Sequence, residues 1–116
     1  MDTLGELTSA ATAFRDARDW KQFHGFKEMF ISLQLEASEL LEHAQWRTGA
    51  ELEGHIRAHK ESVADELSDV LYWILLIAKD LDLDLGAAFA EKLRKNELKY
   101  PVEQSRGSFR KYNETT

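Results

Sequence analysis

The stretch Met29-Phe30-Ile31-Ser32-Leu33-Gln34-Leu35-Glu36-Ala37-Ser38-Glu39-Leu40-Leu41 decides how the whole chain is read. Its line Met29, Leu33, Glu36, Leu40 runs at alternating steps of four and three, one seam of a packed helix. Glu36 stands in that seam where a leucine is expected. A second stretch repeats the anomaly: Val63, Glu66, Val70, Trp73 and Ile77 form a seam with Glu66 inside it. Each seam acid has a second acid three residues on, Glu39 and Asp69, and residues at that spacing share a helix face. Ionised carboxylates are costly to take out of water without a partner. No Lys or Arg lies in either seam, so a divalent cation held by oxygen ligands is the simplest counter-charge. The competing reading, two ordinary solvated acidic faces, suits a lone E-x-x-E but not the seam positions.

The 116 residues make one domain, expected over 1–101 with a C-terminal tail over 102–116. An apolar fraction of 43% with 31% charged residues is that of a water-soluble globular chain. Without cysteine there is no disulfide and no thiolate metal site. Met1 to Ala10 lacks the basic start and apolar run of a signal peptide, and Val70 to Ala78 is too short to span a bilayer, so a cytoplasmic location and no membrane partner are expected. A net charge of −6 argues against duplex nucleic acid but not against a small phosphorylated ligand whose charge a metal neutralises.

Taken in order, Thr3 to Asp19 reads as a first helix with Thr3 as N-cap and Glu6 completing a capping box. Trp20 to Gly25 is a connection. Phe26 to Trp46 is a second helix, apolar nearly all round, which predicts burial on more than one side and hence a homo-oligomer. Arg47 to Gly54 reads as a loop with Gly49 ending the second helix. A third helix is expected from about Leu52 to Leu81, and a fourth from Leu85 to Tyr100, ended by Pro101. The tail is polar and aperiodic and is expected to order on a partner or ligand. The fold class is all-α, a four-helix bundle.

Oxygen ligands without His or Cys suit Mg²⁺, with Mn²⁺ as its substitute, rather than zinc. Such an Mg²⁺ keeps waters and completes its shell with substrate phosphates, which points to phosphate chemistry. Lys92, Asn96 and Lys99 lie at steps of four and three on the fourth helix, a basic stripe that is either solvated or phosphate-binding. Lys27, at the start of the second helix, is either a surface lysine or an anion contact beside free backbone N–H groups. Trp20 and Trp46 flank the second helix and are candidates to stack on a base, against closing the core; Trp73, inside the Glu66 seam, reads as core. His24, His43, His55 and His59 read as too scattered for a cluster, with His24 on a solvated loop.

With these residues placed, the chain resembles the MazG-like all-α nucleoside triphosphate pyrophosphohydrolases, most of all the dCTP pyrophosphatase branch. The resemblance rests on Glu36-x-x-Glu39 followed by Glu66-x-x-Asp69, on Trp20-Lys-Gln-Phe23-His24 and on Gln45-Trp46. It continues through Lys92-x-x-x-Asn96-x-x-Lys99-Tyr100-Pro101 and Ser105-Arg106-Gly107-Ser108. It implies house-cleaning hydrolysis of a dCTP-like triphosphate to the monophosphate and pyrophosphate with Mg²⁺. Glu36, Glu39, Glu66 and Asp69 are then the metal ligands and catalytic set. The substrate contacts are then drawn from Trp20, His24, Lys27, Trp46, Trp73, Lys92, Asn96 and Lys99. It also implies dimers or tetramers. The chain departs from that pattern at Trp73, where relatives often carry Tyr, and at Glu28, where Asn often follows the basic residue. The alternative from another class is a non-catalytic helical oligomer that binds a nucleotide or a protein.

Overall fold

A computed structural model describes residues 1–113; residues 114–116, the end of the expected tail, lie outside them. The described residues are helical, with no strand among them. Helix α1 spans Leu4–Ala17, α2 Phe26–Glu42, α3 Gly49–Ala58, α4 Lys60–Asp80, α5 Leu85–Lys99, and the single turn α6 Val102–Ser105. A 3₁₀ turn at Lys21–Phe23 fills the expected connection before α2.

Local chemistry sets most of these boundaries. Thr3 caps α1: its hydroxyl accepts from the Glu6 N–H at 3.1 Å and donates to the Glu6 carboxylate at 2.9 Å. Asp84 caps α5 by accepting from the Ala87 N–H at 3.0 Å. Pro101, which cannot extend α5, serves as the cap residue of α6.

Three expectations change. Helix α2 stops at Glu42 rather than Trp46, because the hydrogen bonds tighten to a 3₁₀ spacing at His43 and Ala44. The chain then reverses at Trp46, whose φ of 69° puts it in the left-handed region; Trp46 and not Gly49 ends this segment. Gly49, also left-handed at φ 56°, opens α3, so the expected loop over Arg47–Gly54 is largely helix. The expected third helix is two helices broken at His59, which closes α3 and precedes α4.

The chain divides into two compact units, Met1–Asp82 and a second starting at Leu83. In the first, α4 is the central element, packed on α2 and α1 and more lightly on α3. Ala11 of α1, Met29 of α2 and Leu76 of α4 form the core cluster, with Tyr72, Trp73 and Ile77 packed against it. All the buried α4 residues, Leu75, Leu76 and Ala78, lie in its C-terminal half, which leaves the Glu66–Asp69 turn about two turns away from the fully packed end. Below the core, Arg15 Nη1 and Nη2 both donate to Asp80 at 2.9 Å, tying α1 to the end of α4.

Met29 is the only buried residue of α2. Its Phe26, Phe30, Ile31, Leu35 and Leu41 remain exposed, the apolar surplus seen in the sequence. In the second unit, α5 carries Lys92, Asn96 and Lys99, and Tyr100 meets Tyr112 edge to face at 6.1 Å.

Candidate metal centre

Helices α2 and α4 bring the two acidic pairs to one place. Glu36 and Glu66 are half-buried, as their seam positions require, while Glu39 and Asp69 are exposed. Glu36 shows that the four converge. Its carboxyl is held above the usual carboxylate range by burial first, then by the charge of Glu39, then Asp69, with Glu66 pushing the same way. Glu36 Oε2 is buried with no hydrogen-bond partner. An orphaned carboxylate oxygen under the charge of three other acids is a candidate ligand for a hard divalent cation. Among the described residues no three acidic or histidine side chains are already closed to coordination geometry. Glu39 and Asp69 are exposed and able to change rotamer to complete such a set.

Sequence reasoning missed the neighbours of Glu66. His43, just past α2, stands with Nε2 2.5 Å from Glu66 Oε2. Its other nitrogen, Nδ1, is 3.0 Å from Nε2 of His55 on α3. His55 in turn stacks on His59, ring centroids 4.2 Å apart. Histidines that look scattered along the chain are therefore grouped, correcting the expectation of no cluster. Burial first, then the positive charge of Arg47, pulls the His55 pKa down and favours its neutral form. Arg47 Nη1 donates to the His43 carbonyl at 3.3 Å, fixing the turn that carries His43. The available signal was His55 and His59 at a helical i, i+4 spacing.

The aromatic candidates divide. Trp20 meets Phe14 edge to face at 5.8 Å. Phe14, Tyr72, Leu7 and Ala11 line an apolar cavity of about 440 Å³ between α1 and α4, with Asp69 on its wall. Trp73 packs on the core cluster as its seam position predicts. Against the expectation of a solvated loop histidine, His24 is half-buried with its ring 5.0 Å from Trp73. Burial first, then Arg15, holds its pKa down. Trp46 is 90% exposed. Lys27 is exposed in the first turn of α2, after Gly25, which offers no side-chain cap. Lys92 and Lys99 are exposed and Asn96 half-buried on α5, and Lys99 Nζ lies 5.3 Å from the centre of the Tyr112 ring. These three belong to the second unit.

Helical packing that sets two acidic pairs on adjacent helices, with an orphaned carboxylate oxygen at Glu36, defines the class: an all-α protein with a clustered acidic site. The MazG-like family model matches residues 31–115, and the chain belongs to that family. It is 37% identical to rat dCTP pyrophosphatase 1 and 34% identical to the human protein of that name, over 97% of this chain and 67% of each relative. A pyrophosphatase from Archaeoglobus fulgidus superposes with a TM-score of 0.79 at 34% identity, over 84% of this chain and 91% of that one. Among the described residues no helix is long and apolar enough to cross a membrane.

Proposed function

We propose that this chain is a Mg²⁺-dependent nucleoside triphosphate pyrophosphohydrolase acting on dCTP or a related pyrimidine triphosphate. The observation that carries the reading is the convergence of the other three acids on the half-buried Glu36. The relatives' names support the reaction and the choice of base. Glu36, Glu39, Glu66 and Asp69 would hold the cation; all four are oxygen ligands, the set Mg²⁺ prefers. A bound divalent cation supplies Lewis-acid stabilisation of charge on the polyphosphate. Water adds to phosphorus, the bond between the α- and β-phosphates breaks, and pyrophosphate leaves with the bonding electrons. Glu39, an exposed carboxylate, would accept a hydrogen bond from that water and orient it. In this reading a flat base would enter the cavity beside Asp69, walled by Phe14 and Tyr72, with Trp20 against Phe14. The family resemblance, and not their position in the fold, is what proposes Lys92, Asn96 and Lys99, with Lys27 and Trp46, as substrate contacts.

The test is a panel of nucleoside triphosphates with Mg²⁺, resolving pyrophosphate from orthophosphate. Pyrophosphate and monophosphate in equal amounts are expected, fastest with dCTP and absent after chelation by EDTA. Nucleotide-dependent thermal stabilisation with no product would instead establish a binding protein.

The exposed apolar face of α2 favours a homo-oligomer, because Phe26, Phe30, Ile31, Leu35 and Leu41 on one helix exceed what a monomer leaves to water. Light scattering is expected to give a multiple of the 13.4 kDa chain, and Leu35→Glu to shift it toward the single chain. A monomer in the unmodified protein would reject this assembly.

A further inference from the structure

Glu66 differs from the other acids in having a dedicated partner. His43 Nε2 meets its Oε2 at 2.5 Å, with side chains 14% and 18% exposed. A carboxylate accepts, so at this contact the ring N–H of His43 donates from Nε2 to Glu66 Oε2. On the other side of the ring, His43 Nδ1 stands 3.0 Å from His55 Nε2, and the two rings share one hydrogen bond whichever of them donates. The chain of contacts spans three elements, the turn after α2, α3 and α4, and leaves Glu66 Oε1 as the oxygen not engaged by His43.

From this we infer that His43 and His55 are positioning residues for the cation: in series, they fix the Glu66 carboxylate so that its second oxygen faces the cluster. The inference rests on the metal-centre reading above and adds to it a pair of residues that touch neither cation nor substrate. Partners that orient a ligand from outside the coordination shell govern metal affinity, and their loss costs about 10- to 100-fold.

The probe is Mn²⁺ alone, its dissociation constant measured by electron paramagnetic resonance on the full chain without nucleotide. His43→Leu is expected to weaken binding by about 10-fold or more. His43→Gln, which keeps an N–H donor of similar reach, is expected to recover most of that loss. His55→Leu is expected to weaken binding less than His43→Leu. The double His43→Leu/His55→Leu variant is expected to bind no worse than His43→Leu, because His55 acts only through His43. Unchanged Mn²⁺ binding in His43→Leu, beside lost binding in Asp69→Asn, overturns the positioning role alone. So does His43→Gln binding as weakly as His43→Leu, which would reduce His43 to packing. Absence of Mn²⁺ binding in the unmodified chain overturns the metal centre and this role together. Should His43→Leu not unfold cooperatively, His55→Leu decides, and wild-type affinity in that variant overturns the proposal.

Discussion

Glu39→Gln or Asp69→Asn is expected to lower Mg²⁺-dependent pyrophosphate release by about a thousandfold or more while the chain stays folded. Loss of the cation forfeits several kcal/mol of transition-state stabilisation, and about 1.4 kcal/mol is a factor of ten. Both side chains are exposed, so neither change opens a cavity. Steady-state release of pyrophosphate, with circular dichroism as the check on folding, reads the result, and retained turnover in both variants would remove the metal assignment. Glu36→Gln is expected to be equally inactive but to behave differently in stability. The native Glu36 carboxyl has its pKa raised, by burial before the charge of Glu39. The native state thus binds that proton more tightly than the unfolded chain. Its contribution is fully present below the unfolded pKa and is lost as pH rises through the raised native value. At neutral pH without metal, ionised Glu36 therefore works against folding, and Glu36→Gln is expected to melt higher than the unmodified protein. The difference is expected to fade as pH falls below the ordinary carboxylate range. A metal-free Glu36→Gln variant that melts lower at neutral pH would show that no such repulsion exists.

Arg15→Ala carries the largest expected cost in stability, about 3–5 kcal/mol, the range for removing one partner of a buried ion pair. Arg15 is 1% and Asp80 10% exposed, and two hydrogen bonds at 2.9 Å join them. Truncation leaves Asp80 without its counter-charge and opens a void among α1 and α4 side chains. Against a typical total of about 5–15 kcal/mol for a domain, that is a large share. Urea unfolding measures it, and a loss under about 1 kcal/mol would mean water replaces the guanidinium without penalty. The hydrogen bond from Arg15 holds the Asp80 pKa below its ordinary value. The pair's contribution is accordingly present above the unfolded carboxylate pKa and lost as pH falls through the depressed native value. Acid sensitivity of the unmodified chain should flatten in a double Arg15→Met/Asp80→Leu variant, which replaces the pair by apolar volume.

Much of this was legible in the residues. The Thr3 cap, the Asp84–Leu85 start of α5 and the stop at Pro101 follow from local rules that need no tertiary information. Glu36 and Glu66 are visible because an acid interrupts a periodic apolar line, and both are half-buried. The break at His59 was not legible: no glycine or proline marks it, and helical residues run on either side. Gly49 misled for a related reason, since glycine in the left-handed region opens as readily as it closes a segment, and here Trp46 had already made the reversal. The His43–His55 contact depends on α3 folding back after that reversal, a tertiary event that brings together residues twelve apart. His24 shows the same limit, because its place beside Trp73 is set by packing and not by its own loop.

That reversal at Trp46 has one more implication. An L-residue with a large side chain is disfavoured at φ 69°, by about 1–2 kcal/mol, and glycine would take the conformation freely. Most of the indole surface is also left in water, so the ring returns little of that cost through burial. Folding by itself has no use for a bicyclic aromatic there. A Trp46→Gly chain is therefore expected to melt above the unmodified protein, because it relieves the strain at this turn and gives up almost no buried surface.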